Sequence, residues 1–337
     1  MKISGAATSI SWIPSDLVTG PMKLGFDVGL SHYDPPPPES VRLEDVQRLS
    51  DQDRFRFGNR LAAWAELDGS GAVTGCGYEE SSGLVIGVSR IRLGPITVTV
   101  RSGRLPALRR DPVTLPDGGV RFVQTVGGRT GFPMPRPVSS APYVQWSAPV
   151  VWTTLSLTLR PGGDHIVEMT GASRFPRHWV YGPDGELVGK SGVTEWSEWM
   201  SSSFGEHTPW GEGDSPAVVA KASSDLERAL SNDIMRGARP QVRRLDAGAD
   251  LVRQGEPGTE LFLVLDGVLD VSVDGRVLGQ VGPGAVLGER ALLEGGVRTA
   301  TVTASTPAVV AVAPEEDIDL ERLAVLSQQH RREHDVS

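Results

Sequence analysis

Between Val242 and Ala313 a glycine-bearing turn breaks the chain roughly every 8–12 residues, and no other feature of the sequence limits the fold as tightly. The stretch reads VRRLDAGADLVRQGEPGTELFLVLDGVLDVSVDGRVLGQVGPGAVLGERALLEGGVRTATVTASTPAVVAVA. Intervals this short suit strands of about 5–6 residues and leave no room for long helices. Short strands joined by glycine turns fold into a small all-β barrel or roll. Within it, ELFLVLDGVLDVSVDGRVL reads as paired hairpins turning at Asp266-Gly267 and Asp274-Gly275, because Asp-Gly tolerates the positive φ that tight hairpins need.

The preceding chain is built by different rules. All eight Trp and all four Tyr lie between Trp12 and Trp210, and the one aromatic after Trp210 is Phe262. A switch that sharp implies two separate cores. The stretches IRLGPITVTVRSG, GGVRFVQTVGGR, YVQWSAPVVWTTLSLTLRPGG and DHIVEMTG alternate apolar and polar residues and end at Gly or Pro, as strands do. Turns are expected at Pro116-Asp117-Gly118, Pro161-Gly162-Gly163 and Pro183-Asp184-Gly185, and short helices near 43–50 and 194–201. Pro35–Pro38 predicts a stiff extended loop. The expected fold class is mainly β: an N-terminal antiparallel barrel or sandwich over residues 1–204, then a linker and connecting helix over 205–232, then a β-roll with flanking helices over 233–337. The linker reading rests on GEHTPWGEGDS, and the helix on apolar spacing within 217–236.

Bulk properties exclude several functions. The net charge is −9, which argues against a nucleic-acid binder, since neutralising phosphates needs a basic surface. One cysteine, Cys76, permits no internal disulfide and fits a reducing cytoplasm. Residues 1–20 lack the basic start and continuous apolar run expected of a signal peptide, and no stretch approaches the roughly 20 apolar residues that span a bilayer. The expectation is a cytoplasmic protein with no DNA and no membrane among its partners.

Chemistry concentrates in LGERALLEGGVRTATV, residues 287–302. Gly288 and Glu289 open an apolar segment, Ala291-Leu292-Leu293, long enough for a helical turn, and Gly295-Gly296 closes it. A glycine-led entry into a helix leaves backbone N–H groups unpaired, which suits an anion. Arg298 follows within reach, and a guanidinium clamps phosphate oxygens with two parallel hydrogen bonds. A carboxylate beside it accepts hydrogen bonds from sugar hydroxyls.

The pattern G-E-x-A-L-L followed by R-T-A-T-V resembles the phosphate-binding cassette of cyclic-nucleotide-binding domains, as found in bacterial catabolite activators, protein kinase A regulatory subunits and gated channels. Gly255, Gly258, Gly267 and Gly284 agree with it, and the likeness covers about residues 233–320. It implies a cyclic-nucleotide ligand, cAMP or cGMP, and no cofactor or metal. It also implies a site of Gly288, Glu289, Arg290, Ala291, Arg298 and Thr299. In that likeness Glu289 holds the ribose 2′-hydroxyl and Arg298 the cyclic phosphate. The amides of Arg290 and Ala291 face the phosphate, the Arg290 side chain turns outward, and Thr299 lies beside phosphate or base. Val297 departs from the proline that many members place before the Arg. No aromatic residue near the cassette is available to stack on a base, and Thr299 keeps cGMP open as a ligand.

Beyond Ala313, DIDLERLAVLSQQHRREHDVS reads as one helix, which in the family closes over the nucleotide or forms a homodimer, with no space for a helix-turn-helix. The reading favoured is therefore a regulatory binding protein whose N-terminal β-domain is the output or the surface for an unknown protein partner. The alternatives are an enzyme gated by the roll and a structural or oligomerisation module with a silent roll. In the N-terminal part no catalytic residues are identified. His32, His165, His178 and His207 match no metal spacing. Trp179, Trp196, Trp199 and Trp210 read as core or a pocket wall, Arg177 and His178 as polar residues in an apolar context, and Cys76 as part of a Gly-rich turn.

Overall fold

A computed structural model describes residues 1–14, 18, 23–27, 33–87, 89–93, 96–100, 102–130, 134–137, 141, 143–204, 207–211, 219–221, 241–283, 285–293 and 296–315. The chain divides into two compact units, residues 1–189 with 194–217 and residues 190–193 with 218–337.

In the N-terminal unit the long strands pair antiparallel into two sheets. One runs in the order Leu187–Ser191, Arg177–Tyr181, Lys2–Trp12, Phe57–Leu67, Val73–Tyr78, with Gly83–Ile86 also paired to Phe57–Leu67. The other runs His165–Ala172, Val150–Leu159, Val120–Arg129, and the far edge of Val120–Arg129 takes three two-residue strands between Gly103 and Thr114. Alternation puts every second side chain between the sheets. Ala7, Leu61, Ala63 and Val180 of the first sheet meet Phe122, Leu155, Leu157 and Met169 of the second in one core cluster. Of the two expected architectures, this is the sandwich. A second cluster gathers Phe57, Val126 and Val151 around Phe175, Trp196 and Trp199.

Hydroxyls and amides also point into the interior, and several pair across the sheets. Ser9 and Thr153 hydroxyls bond across the sheets at 2.8 Å. Asn59 Nδ2 donates to the Thr153 carbonyl at 3.0 Å and its Oδ1 accepts from Gln124 Nε2 at 2.9 Å.

The local signals hold. The three turns close with Gly118, Gly163 and Gly185 at positive φ, each amide bonded to the carbonyl three residues back. The short helices are Leu43–Asp51 and Trp196–Ser202, and a further one, Lys23–Asp27, was not anticipated. The proline run has no regular secondary structure, and the Pro38 carbonyl accepts from Tyr181 Oη at 2.7 Å. Cys76 is a correction: it lies in the strand Val73–Tyr78, not a turn, because that segment pairs with Phe57–Leu67 and packs on the core.

The C-terminal unit contains two four-stranded antiparallel sheets. One is ordered Gln241–Leu245, Ala308–Pro314, Glu260–Asp266, Val286–Leu287, and the other Asp250–Val252, Thr301–Ala304, Leu269–Val273, Arg276–Val281. Leu251, Phe262, Val264, Leu269, Val302 and Val310 fill the space between them. This is the expected β-roll. Asp274 and Gly275 both have positive φ and join Val273 to Arg276 in a two-residue hairpin. Asp266-Gly267 does something else. Glu260–Asp266 and Leu269–Val273 belong to different sheets, so this turn carries the chain across the roll rather than back along it. Val219–Lys221 is a strand where a helix was expected. The rest of 217–236, the C-terminal helix and His32 lie outside the described residues.

Candidate functional site

The site grows from how Arg298 is held. Residues 296–298 are tied to the turn at 255–258 by three backbone hydrogen bonds of 2.8 Å: Arg298 N–H to the Glu256 carbonyl, Gly255 N–H to the Arg298 carbonyl and Gly258 N–H to the Gly296 carbonyl. The strand expected to open at Arg298 begins instead at Thr301, since these bonds direct the preceding residues to the turn. From that anchorage the Arg298 side chain runs inward and is 5% exposed. Its Nη1 donates to the Glu260 carbonyl at 3.0 Å, and its guanidinium carbon stands 5.1 Å from the centre of the Phe262 ring.

Two glycines make the slot. A Cβ on Gly258 would fall 2.2 Å from Arg298 Nε and 2.5 Å from its Cζ. A Cβ on Gly288 would fall 2.4 Å from Arg298 Nη1 and 2.8 Å from the Glu260 carbonyl oxygen, and Gly288 has φ +97. Gly288 therefore suits its position both sterically and conformationally. It leads into the helix Glu289–Leu293, which ends where the Gly296 amide donates to the Ala291 carbonyl at 2.7 Å. Leu292 and Leu293 pack on Leu261 and Leu263, fixing the helix to the sheet.

The Arg298 cation makes its close contacts with a carbonyl and a ring, and feels charged side chains beyond them. Burial lowers the Arg298 guanidinium below its ordinary pKa, Glu260 and Glu289 oppose that, and Arg243 adds to it. Arginine remains charged at any ordinary pH. Among the described residues its hydrogen-bond partner is a carbonyl, not a carboxylate.

Of the expected residues, the structure brings Gly288 and Arg298 into contact, with the Glu289 carboxylate close enough to act on the guanidinium. Ala291 is buried beneath the helix, while Arg290 and Thr299 are exposed. Sequence reading took Gly258 as a glycine that agrees with the family pattern, without seeing it as a wall of the slot, and passed over Glu260, Phe262 and Arg243 as site residues.

Of the N-terminal candidates, Trp196 and Trp199 belong to the core, and Trp179 and Trp210 are partly buried. Phe175, Trp196 and Trp199 stack within 5.4 Å of one another, and Trp199 Nε1 donates to the Val150 carbonyl at 2.9 Å. Trp210 Nε1 donates to the Pro106 carbonyl at 2.7 Å, and Trp179 stacks edge-on against Trp12 at 5.6 Å. His178 is 0% exposed, with Nδ1 accepting from Ser11 Oγ at 2.7 Å and Nε2 donating to the Ser173 carbonyl at 2.9 Å. Burial pushes its pKa down to about 4, so it is neutral near pH 7. Arg177 is buried with its guanidinium 5.8 Å from the Trp12 ring centre. Among the described residues no group of His, Cys, Asp and Glu could hold a metal ion. No helix there is long and apolar enough to cross a membrane.

Residues 242–320 match the family model of the cyclic nucleotide-binding domain. Over that stretch the chain carries a domain of this class. It is 43% identical over 81 residues to a cyclic nucleotide-gated potassium channel of Mesorhizobium japonicum, covering 24% of this chain and 22% of the channel. It is 46% identical over 63 residues to the cGMP-dependent protein kinase egl-4 of Caenorhabditis elegans, covering 19% of this chain and 8% of the kinase. The catabolite activator protein of Thermus thermophilus shares 28% identity over 34% of this chain and 57% of its own, with a TM-score of 0.27. The chain thus spans less than a quarter of the length of either curated relative.

Proposed function

We propose that the C-terminal roll binds cAMP or cGMP and that the protein is a regulatory binding protein, with the N-terminal sandwich as its output or partner surface. The observation that carries this reading is Arg298: a residue 5% exposed whose guanidinium, among the described residues, donates to a carbonyl and lies over an aromatic ring. Glu260 and Glu289 act on that charge without a hydrogen bond from it among the described residues, and a phosphate would supply a directly bonded counter-ion. In this reading Arg298 clamps the cyclic phosphate and Glu289 accepts from the ribose 2′-hydroxyl. The amides of Arg290 and Ala291 face the phosphate from the entrance bounded by Gly288, and Thr299 lies beside phosphate or base. The similarity to a cyclic nucleotide-gated channel and to a cGMP-dependent protein kinase supports the ligand class. The sandwich interior is filled by apolar clusters and by hydroxyl and amide pairs, which supports a surface role over an enclosed reaction site.

The test is titration calorimetry of the full chain with cAMP and with cGMP. Saturable binding of at least one nucleotide is expected. No saturable heat with either at concentrations up to about 1 mM, the weakest range of specific affinity, overturns the reading.

A further inference from the structure

A second guanidinium shares the inner face of the roll with Arg298. Arg243 stands on Gln241–Leu245 opposite Val310, and Phe262 stands on Glu260–Asp266 opposite Val312. Val310 and Val312 are two residues apart on one strand, so these four side chains lie on the same face. That face lines the core, to which Phe262, Val310 and Val312 belong. The Arg243 guanidinium carbon is 5.4 Å from the Phe262 ring centre, and that of Arg298 is 5.1 Å from it. Arg243 Nη2 is 3.7 Å from Glu260 Oε1, and Arg298 Nη1 donates to the Glu260 carbonyl at 3.0 Å. One ring and one glutamate therefore serve two like charges. The Glu260 backbone holds Arg298, and the Glu260 carboxylate partly neutralises Arg243.

We propose that Arg243 is the second cation of the anion site, drawing the ligand's phosphate through space, and that the Glu260 carboxylate tempers it. The proposal rests on the reading that the roll binds a cyclic nucleotide. Arg298 contacts the phosphate, and Arg243 contributes at longer range as an affinity-setting residue. The Arg243 side chain is 43% exposed, so solvent screens its field. Its contribution is accordingly smaller than that of Arg298 and depends on salt. Opposite charges in one small region predict opposite effects when each is removed. A purely structural role for the Arg243–Glu260 pair predicts that removing either partner weakens binding.

The experiment is calorimetric titration of the full chain with cAMP and cGMP at low and at physiological salt, for wild type, Arg243→Gln, Arg243→Lys and Glu260→Gln, with melting curves beside each. Arg243→Gln is expected to weaken binding about three- to tenfold, and more at low salt, because a partly exposed charge acts by screened attraction. Arg243→Lys keeps the charge and stays close to wild type. Glu260→Gln keeps the carbonyl that holds Arg298, and tightens binding. If the wild type binds but Arg243→Gln leaves affinity unchanged, or Arg243→Gln and Glu260→Gln shift it in the same direction, the proposal is overturned while the nucleotide reading stands. If the wild type binds neither nucleotide, the reading falls and the proposal with it.

Discussion

His178 in the N-terminal sandwich and Arg298 in the C-terminal roll are both basic side chains withdrawn from solvent, 0% and 5% exposed, and their surroundings differ in kind. His178 has both ring nitrogens engaged, by Ser11 and by Ser173, and burial keeps it uncharged. Arg298 cannot shed its charge, and its described hydrogen bond goes to a carbonyl while Gly258 and Gly288 keep its guanidinium uncrowded. The cores differ as well. The sandwich packs Trp152, Trp199, Phe122 and Phe175 deep inside, whereas the roll is aliphatic around Phe262. Buried polarity that closes on itself serves architecture. A buried charge with donors to spare is what the proposed ligand would engage.

That contrast can be broken experimentally. The largest effect is expected from Trp199→Ala, which removes a ring 2% exposed and the hydrogen bond to Val150. Large-to-small changes of this kind cost about 3–5 kcal/mol. Because every Trp precedes residue 211, intrinsic fluorescence reports the sandwich and is silent on the roll. A fluorescence melt unchanged by the substitution would show that the aromatic cluster is not the core of this unit.

Next is Arg298→Ala, expected to weaken cyclic-nucleotide binding by about 2–5 kcal/mol, the usual cost of truncating one partner of a buried charged pair. Its effect on folding is expected to be slight, since it removes a buried charge lacking a carboxylate partner. Calorimetry with circular-dichroism melts separates the two. Unaltered affinity would place Arg298 with His178, as architecture.

The smallest effect is that of acid on the sandwich. The unfolded chain protonates His178 near pH 6.5, and the folded one only near pH 4. Between those values the unfolded state binds the extra proton, so stability rises with pH. The contribution is complete above pH 6.5 and is lost as pH falls towards 4, amounting to about 3 kcal/mol over the whole window. Fluorescence melts at pH 7 and pH 5 measure it. Residues 241–315 contain no histidine, so the roll's own transition is expected to stay level over the same range. A sandwich equally stable at both pH values would mean that His178 accepts its proton in place.

Much of this molecule was legible in one dimension. Turn glycines, strand limits, the Asp274-Gly275 hairpin and the cassette around Gly288 and Arg298 depend on φ preferences and on neighbours a few residues away, which the sequence states directly. Other features depend on residues far apart, and there the local signal was ambiguous or missing. Asp266-Gly267 carries the same signature as a hairpin, because a turn that reverses a strand and a turn that sends it to the facing sheet both call for a glycine at positive φ. The strand signal in GGVRFVQTVGGR, found as Val120–Arg129, could not distinguish barrel from sandwich, since either closure buries the same face. Ser11 meets His178 across 167 positions, and Arg298 meets the Glu260 carbonyl across 38. Gly258 is needed beside a guanidinium that enters from another strand connection, and Arg243 reaches Phe262 only because Ala308–Pro314 runs between their strands. The sequence by itself determined many of the turns, several of the segments that extend and which residues could meet a phosphate. The tertiary structure alone decided which buried polar groups are closed and which are left open, because that depends on what long-range pairing brings within hydrogen-bond reach.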